Sequence, residues 1–267
     1  MKFQKSKTIK ILSVVIIGIV LIGLMVFGKD TALQQGDLLT DRLKPPSWEN
    51  WFGTDRLGRD VFARTLFGGT ISLLIAGCVT GMTLLLGSLV GAVSGYIGGK
   101  VDMILMRFLD FMMAIPLIFV LIAATALFQP GLVGIIILLS LTSWMETARL
   151  IRAEVISIRK KEFFLALESM GVPHFRMIRK HVLPNSITPI ITLLPLKISE
   201  VILLESGLSF LGIGIQPPIP TWGNMLYEGQ QTMPEAWWIT LFPGFFLFLV
   251  VSAFNILGRR VRKKITG

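Results

Sequence analysis

The sequence predicts an all-α integral membrane protein with six transmembrane helices. Hydrophobic residues make up 53% of the chain and the mean hydropathy is +0.72, well outside the usual composition of soluble domains. Only 16% of the residues are charged, and they cluster between long apolar runs. Because a backbone exposed to lipid must satisfy its own hydrogen bonds, such runs predict helices.

The apolar runs define the predicted spans. The first has about the length needed to cross a bilayer, and no small-residue cleavage site follows it, so we expect a span rather than a cleaved signal peptide. Pro116 predicts a kink in the third span, the fourth is expected to continue as a helix to Glu154, and Asn185 or Ser186 can cap the fifth. The six spans are residues 9–27, 71–96, 111–128, 132–144, 185–211 and 238–257.

The segment before the second span contains a charged dodecapeptide, GTDRLGRDVFAR, from Gly53 to Arg64. Arg56, Asp60 and Arg64 follow one another at intervals of four residues, which suits ion pairs along a helix. We expect a short helix that lies along the membrane surface and forms a structural elbow.

In two parts of the second span, 77–81 and 87–95, glycines recur every four positions. This spacing lets helix backbones approach closely, either as a static packing contact or as a pivot. The glycines concerned are Gly77, Gly81, Gly87, Gly91 and Gly95.

The polar stretch from Lys160 to Pro184, KKEFFLALESMGVPHFRMIRKHVLP, predicts two short amphipathic helices with a sharp bend between them. Gly171 can close the first helix at positive φ, Pro173 discourages its continuation, and Pro184 is expected to end the second. A helix–bend–helix that is apolar on one face suits docking into a groove of another protein. The apolar face of the first helix comprises Phe163, Phe164, Leu167 and Met170.

The distribution of basic residues predicts the orientation. With six spans, 19 of the 26 Lys and Arg residues fall on the side of the two termini and of the loop 160–184, and six fall in residues 28–69. The positive-inside rule makes the first side cytoplasmic. The net charge of +10 does not indicate nucleic-acid binding, because the basic residues flank apolar spans.

The loop 160–184 resembles the cytoplasmic coupling loop of type I ABC-importer permeases, whose pattern is Glu-Ala-Ala, three residues, Gly and, after a spacer, Leu-Pro. The triplet here is Leu165-Ala166-Leu167, and the glycine and the Leu-Pro pair match. The resemblance implies a type I importer permease fold with coupling helices between spans four and five. The residues it implies in ATPase coupling are Phe163, Phe164, Leu165, Ala166, Leu167, Met170, Gly171, Leu183 and Pro184.

Two further stretches, Gly53–Arg64 and Gly207–Leu226 (GLSFLGIGIQPPIPTWGNML), are similar to the dipeptide, oligopeptide and nickel branch of these permeases. The resemblance implies ATP-driven import of peptides, nickel or metal chelates across the cell membrane. The implied partners are a second, homologous permease subunit, two cytoplasmic ATP-binding subunits and an extracytoplasmic substrate-binding protein. The implied division of the chain is 1–27 for the N-terminal tail and first helix, 28–69 for an extracytoplasmic segment, 70–258 for the permease core and 259–267 for a basic cytoplasmic tail.

The residues predict no enzyme activity for the chain itself. It has no GxxxxGK[ST] phosphate loop, so ATP and Mg²⁺ are expected on the partner subunits, and no nucleophile–base arrangement has supporting context. His174 and His181 lack a spaced carboxylate or cysteine partner, and Cys78 is the one cysteine. We therefore expect neither a metal site nor a disulfide.

Charged residues within the fifth span leave two interpretations open. Lys197 and Glu200 can meet on one helix face, and Glu205 follows. Because ionisable residues at membrane depth avoid lipid, Glu200 and Glu205 either line a pathway for a cationic or zwitterionic solute or serve packing and the outer interface.

Two other functions compete with the importer interpretation. A self-sufficient secondary transporter or channel would need ion-coupling sites, typically in repeated halves, and the sequence shows no internal repeat. A membrane-anchored assembly factor is the weaker alternative. The residues leave open the solute, the substrate contacts and whether the second permease subunit is identical, although the resemblance favours a heterodimer.

Overall fold

The computed structural model describes residue 33 and residues 36–37, 40–128 and 130–266. The predicted all-α class is confirmed over these ranges, where the only β-type pairing is an isolated antiparallel bridge between Thr54 and Asp60. The helices are α1 (Val61–Ile97), α2 (Gly99–Met113), α3 (Leu117–Phe128), α4 (Leu132–Arg159), α5 (Glu162–Ser169), α6 (His174–Met177), a π-helical turn (Ile178–Val182), α7 (Leu183–Phe210), α8 (Trp222–Gln230) and α9 (Trp238–Thr266).

Several of these helices can cross a membrane. Three are long and apolar enough alone, namely α1, α4 and the part of α9 from Trp238 to Lys263. Two bent pairs qualify if each counts as one span, α2 with α3 and Ile178–Ser186 with Pro189–Phe210. The described ranges thus hold up to five candidate spans, and the span predicted at residues 9–27 lies outside them.

The kink predicted at Pro116 is confirmed, since α2 and α3 meet at an angle of 72°. The helix starts much earlier than the predicted Phe111, however, because the preceding polar segment is also helical. Two acidic residues of α2 pair with arginines of α4 and so connect this charged segment to α4. The pairs are Asp102–Arg152 and Asp110–Arg149.

The predicted surface helix over Gly53–Arg64 is wrong. Residues 53–60 form turns, and α1 begins at Val61 and continues without a break into the second span. The Asp55 carboxylate accepts the backbone N–H groups of Leu57 and Arg59 at 2.8 and 3.0 Å, which holds the chain in a loop. Asp60 accepts the N–H of Phe62 at 2.7 Å and thereby caps α1.

The chain divides into two compact units. The first contains the residues up to Gly77, Thr125–Ile135 and Ile198–Leu257. Phe52 stacks on Phe242 at a ring-centroid distance of 3.8 Å beside its core. That core comprises Val61, Met225, Ala236, Trp238 and Ile239.

The second unit contains Cys78–Ala124, Ile136–Lys197 and Gly258–Gly267. Here α1 and α4 pack closely through the glycine repeat: a Cβ on Gly91 would lie 2.4 Å from the carbonyl oxygen of Ala148. Gly87 and Gly95 are similarly close to α4, which confirms the predicted backbone approach at these three positions. By contrast, a Cβ on Gly81 would meet no atom within 4 Å.

Candidate functional site

The loop between α4 and α7 has the predicted helix–bend–helix form. Gly171 adopts φ of +70°, and its N–H donates to the carbonyl of Glu168 while that of Val172 donates to the carbonyl of Leu167. These two bonds form a Schellman motif, which satisfies the last carbonyls of α5. The sequence prediction that Gly171 closes this helix is therefore confirmed.

The apolar face predicted for α5 is divided between two sides of the helix. Phe164 is 1% exposed, and Leu167 is partly buried in the same cluster. The cluster joins the loop to α4, so these two side chains fasten the loop to its own unit. Its buried members are Ile151, Val155, Ile158, Phe164, Met177 and Val182.

The opposite side of α5 is exposed. Phe163, Leu165 and Met170 are 42, 50 and 78% exposed, and Ala166 is exposed beside them. We call Phe163, Leu165, Ala166 and Met170 the exposed loop face. The prediction that Phe164 belongs to such a face is wrong, because adjacent residues on a helix are turned about 100° apart and Phe164 points into the core.

The end predicted for the second loop helix at Pro184 is also wrong. From His174 the chain stays helical through the π-helical turn into α7, which begins at Leu183. The π-type turn changes the bonding pattern just where Pro184 has no N–H to donate. Asn185 and Ser186 are not caps, since each donates to the carbonyl four residues earlier within the continuous helix, at 2.6 and 2.9 Å.

A charged pair lies midway along α4 and α7. The Lys197 ammonium donates to the Glu146 carboxylate at 3.0 Å, with side chains 8% and 65% exposed. The sequence did not indicate this ion pair, because Glu146 and Lys197 lie 51 residues apart. Glu200, one turn further along α7, is exposed.

Glu205 is 1% exposed, which favours the packing interpretation of this residue over the pathway interpretation. Its carboxylate accepts hydrogen bonds from the hydroxyls of Ser209 at 2.8 Å and Ser72 at 3.3 Å. Ser209 in turn accepts the N–H of Ile215 at 3.1 Å. Glu205 therefore holds together α1, α7 and the loop that follows α7.

That loop is held by a dense set of side-chain bonds, which explains the composition of the Gly207–Leu226 stretch. Thr221 and Asn224 form a reciprocal capping box at the start of α8. The Asn224 amide also donates to two loop carbonyls, at 3.1 and 2.8 Å. Trp222 donates its indole N–H to the Thr65 carbonyl at 2.9 Å.

A cavity of about 370 Å³ borders this loop. Its volume is in the range of small-molecule sites, and the lining residues that the structure describes are uncharged. Gln216 donates to the carbonyls of Gly212 and Gly214, at 3.0 and 3.3 Å. The cavity is therefore suited to an uncharged group.

A buried ion cluster links the 53–64 stretch to α8. Arg64 and Asp55 are 1% and 2% exposed and are directly paired. Arg64 also donates to both oxygens of Glu228, at 2.7 and 3.2 Å, and Arg59 donates to Asp55 at 2.6 Å. The sequence prediction instead had Arg64 paired with Asp60. The spacing of Asp55 and Arg59 could have indicated part of the cluster, but Glu228 lies far away in the sequence.

Comparison with known proteins identifies the family. Residues 84–267 match the family described as "Binding-protein-dependent transport system inner membrane component". The chain is 43% identical over 221 residues to the dipeptide transport system permease protein DppC of Bacillus subtilis, covering 82% of this chain and 69% of that protein. It is 39% identical over 213 residues to the oligopeptide permease OppC of Haemophilus influenzae, covering 80% and 68% of the two chains.

The fold is also similar to a crystal structure described as an amino acid ABC transporter with histidines. The TM-score is 0.58 at 15% identity, and the match covers 76% of this chain and 94% of the other. This similarity concerns the fold alone. The family match over residues 84–267 and the two relatives lead to one conclusion: the chain belongs to the inner-membrane components of binding-protein-dependent transport systems and is a permease subunit of such a system.

Proposed function

We propose that this permease imports peptides and forms half of the translocation pathway together with a second, homologous permease subunit. The observation that carries the proposal is its identity of about two fifths to dipeptide and oligopeptide permeases over four fifths of the chain. In this proposal both termini and the loop 160–184 are cytoplasmic, two ATP-binding subunits drive the cycle, and an external binding protein delivers the peptide.

The loop geometry supports a specific coupling route. The exposed loop face is free to enter a groove on an ATP-binding subunit, while Phe164 on the other side packs against α4. Movement of the loop as the ATP-binding subunits close would thus be passed to α4 through a packed core, which transmits displacement better than a flexible link. Gly171 closes α5 at the bend, and Leu183-Pro184 form the start of α7.

Glu200 is our remaining candidate for the pathway. An exposed carboxylate in a membrane helix is costly against lipid, so it should face protein or water. A peptide carries an ammonium group, which a carboxylate in the pathway can attract.

Reconstitution tests the proposed function. The complete importer is placed in vesicles, and uptake of dipeptides, longer peptides and nickel is compared with and without ATP. We expect ATP-dependent uptake of peptides. Uptake of nickel alone, or uptake driven by an ion gradient without ATP, would contradict the proposal.

The coupling role is tested by Met170→Glu with Met233→Glu as its matched control, since Met233 is 52% exposed outside the loop. Burying a methionine is worth about 1.5–3 kcal/mol, so loss of this contact should weaken binding of the ATP-binding subunits by about tenfold or more. We expect Met170→Glu to lose co-purifying ATPase and transport, and Met233→Glu to keep both. Equal behaviour of the two variants would contradict coupling through this face.

A further inference from the structure

The last helix is the most exposed of the three single-helix spans. Only 17% of the apolar window of α9 is buried, against 39% for α1 and for α4. Leu241, Phe245 and Phe248 are 53, 55 and 69% exposed. In a membrane, a face with this composition is suited to contact with lipid chains.

The length of α9 determines where its polar end lies. Residues 238–257 contain no charged side chain, and at 1.5 Å per residue they extend about 30 Å, the thickness of the hydrocarbon core. Trp237 and Trp238 lie at the start of this stretch, as expected at a membrane interface. The next two turns of the same helix therefore reach the level of the lipid headgroups on the other side.

Those two turns are strongly basic. Residues 259–264 contain five Lys and Arg, and no acidic residue occurs after Glu235. Arg259, Arg262 and Lys263 are exposed, and Arg262 and Lys263 follow Arg259 by three and four residues, so they flank it on one helix face. They are the members of what we call the tail cation face.

The start of the tail is fixed in position. Gly258 is buried, and a Cβ there would lie 2.8 Å from the side chain of Leu196 in α7, within the same unit. Because α9 continues as a helix to Thr266, these cations project from the same helix as the apolar stretch. Their height relative to the apolar stretch is thus set by the helix.

We propose that the tail cation face is a binding site for the phosphate groups of anionic phospholipids. Cations beside a membrane helix attract anionic lipid by about 1 kcal/mol each, and here three exposed cations share one helix face. An acidic surface on another subunit is the competing partner. The lipid is favoured by the exposure of α9 and by the match between its apolar length and the bilayer.

The test counts lipid bound to the purified full-length chain. Phosphatidylglycerol, phosphatidylcholine and inorganic phosphate are titrated separately, and retained molecules are counted by native mass spectrometry. The variant Arg259→Gln/Arg262→Gln/Lys263→Gln removes the charges, and Arg259→Lys/Arg262→Lys/Lys263→Arg keeps them. Binding of the ATP-binding subunits is measured in parallel by co-purification.

We expect wild type and the charge-conserving variant to retain phosphatidylglycerol at a concentration about tenfold or more below that for phosphatidylcholine. The neutral variant should lose this preference, and high salt should weaken it in wild type. An undiminished preference in the neutral variant would overturn the proposal. Displacement by inorganic phosphate at equal concentration would indicate a free-anion site instead. Loss of ATP-binding subunits with unchanged lipid retention would assign the face to a protein partner.

Discussion

Replacing Arg64 by Met should destabilise the chain far more than the loss of any exposed charge. The guanidinium group of Arg64 is paired with Asp55 and with both oxygens of Glu228. With Arg59, these residues form a cluster of two cations and two anions, three of which are less than a tenth exposed. Methionine has a similar length but no charge, so the variant leaves two carboxylates to share one arginine.

The magnitude follows from burial. Breaking a buried ion pair by removing one partner costs about 3–5 kcal/mol, because the remaining charge is uncompensated. For a chain of this size each kcal/mol lowers the melting temperature by about 2–4 °C, so we expect a decrease of about 6–20 °C. Arg64→Lys should fall between wild type and Met, since an ammonium group cannot reproduce the forked contact with Glu228.

Thermal unfolding of the purified full-length chain, followed by tryptophan fluorescence, measures the effect. The matched control is Lys44→Met, which removes an ion pair with Asp41 whose side chains are 43% and 38% exposed. We expect the control to melt close to wild type, because exposed pairs contribute little. The double variant with Asp55→Asn should lose less than the sum of the single losses. Additive losses, or a loss for Arg64→Met no larger than for the control, would refute the reasoning.

Two further predictions concern the membrane helices. Gly91→Ala should lower the melting temperature, because its Cβ would meet the carbonyl of Ala148 at 2.4 Å and overpacking costs about 1–3 kcal/mol, whereas Gly81→Ala should be neutral or stabilising in the isolated chain. Glu200→Gln should reduce uptake of peptides, whereas Glu205→Gln should lower the melting temperature because its carboxylate holds buried hydroxyls. Reduced uptake together with a wild-type melting temperature in Glu205→Gln would instead support a role for Glu205 in the pathway.

The local signals in the sequence predicted local structure well. Gly171 followed by Pro173 predicted the end of α5, Pro116 predicted a bend, and the repeat around Gly91 predicted a close helix contact. Each of these effects comes from a residue's own backbone restrictions or size. Such effects can be predicted without knowing which residues lie opposite in the fold. Pro184 was the exception, because it lies in the first turn of α7, directly after a π-helical turn, where a proline is tolerated.

Pairings between distant residues could not be predicted in the same way. The 53–64 stretch looked like an amphipathic helix because its charges recur every four residues, yet Asp55 bonds to the backbone and Arg64 turns to Glu228. Likewise Lys197 pairs with Glu146, which lies on another helix and 51 residues away in the sequence. A charged side chain can pair with any opposite charge that the fold places near it. Spacing along one helix identifies only the partners on that same helix.

The sequence by itself determined the membrane class, the helical content and the branch of permeases that the chain resembles, because apolar length, glycine spacing and motif order are properties of the chain written linearly. Only the tertiary structure decided which apolar side chains remain available to a partner. Phe163 and Phe164 are neighbours with the same side chain, and packing against α4 buries one while the other stays exposed. The physical reason is that burial depends on what lies opposite a residue, and this is known only once the helices are assembled.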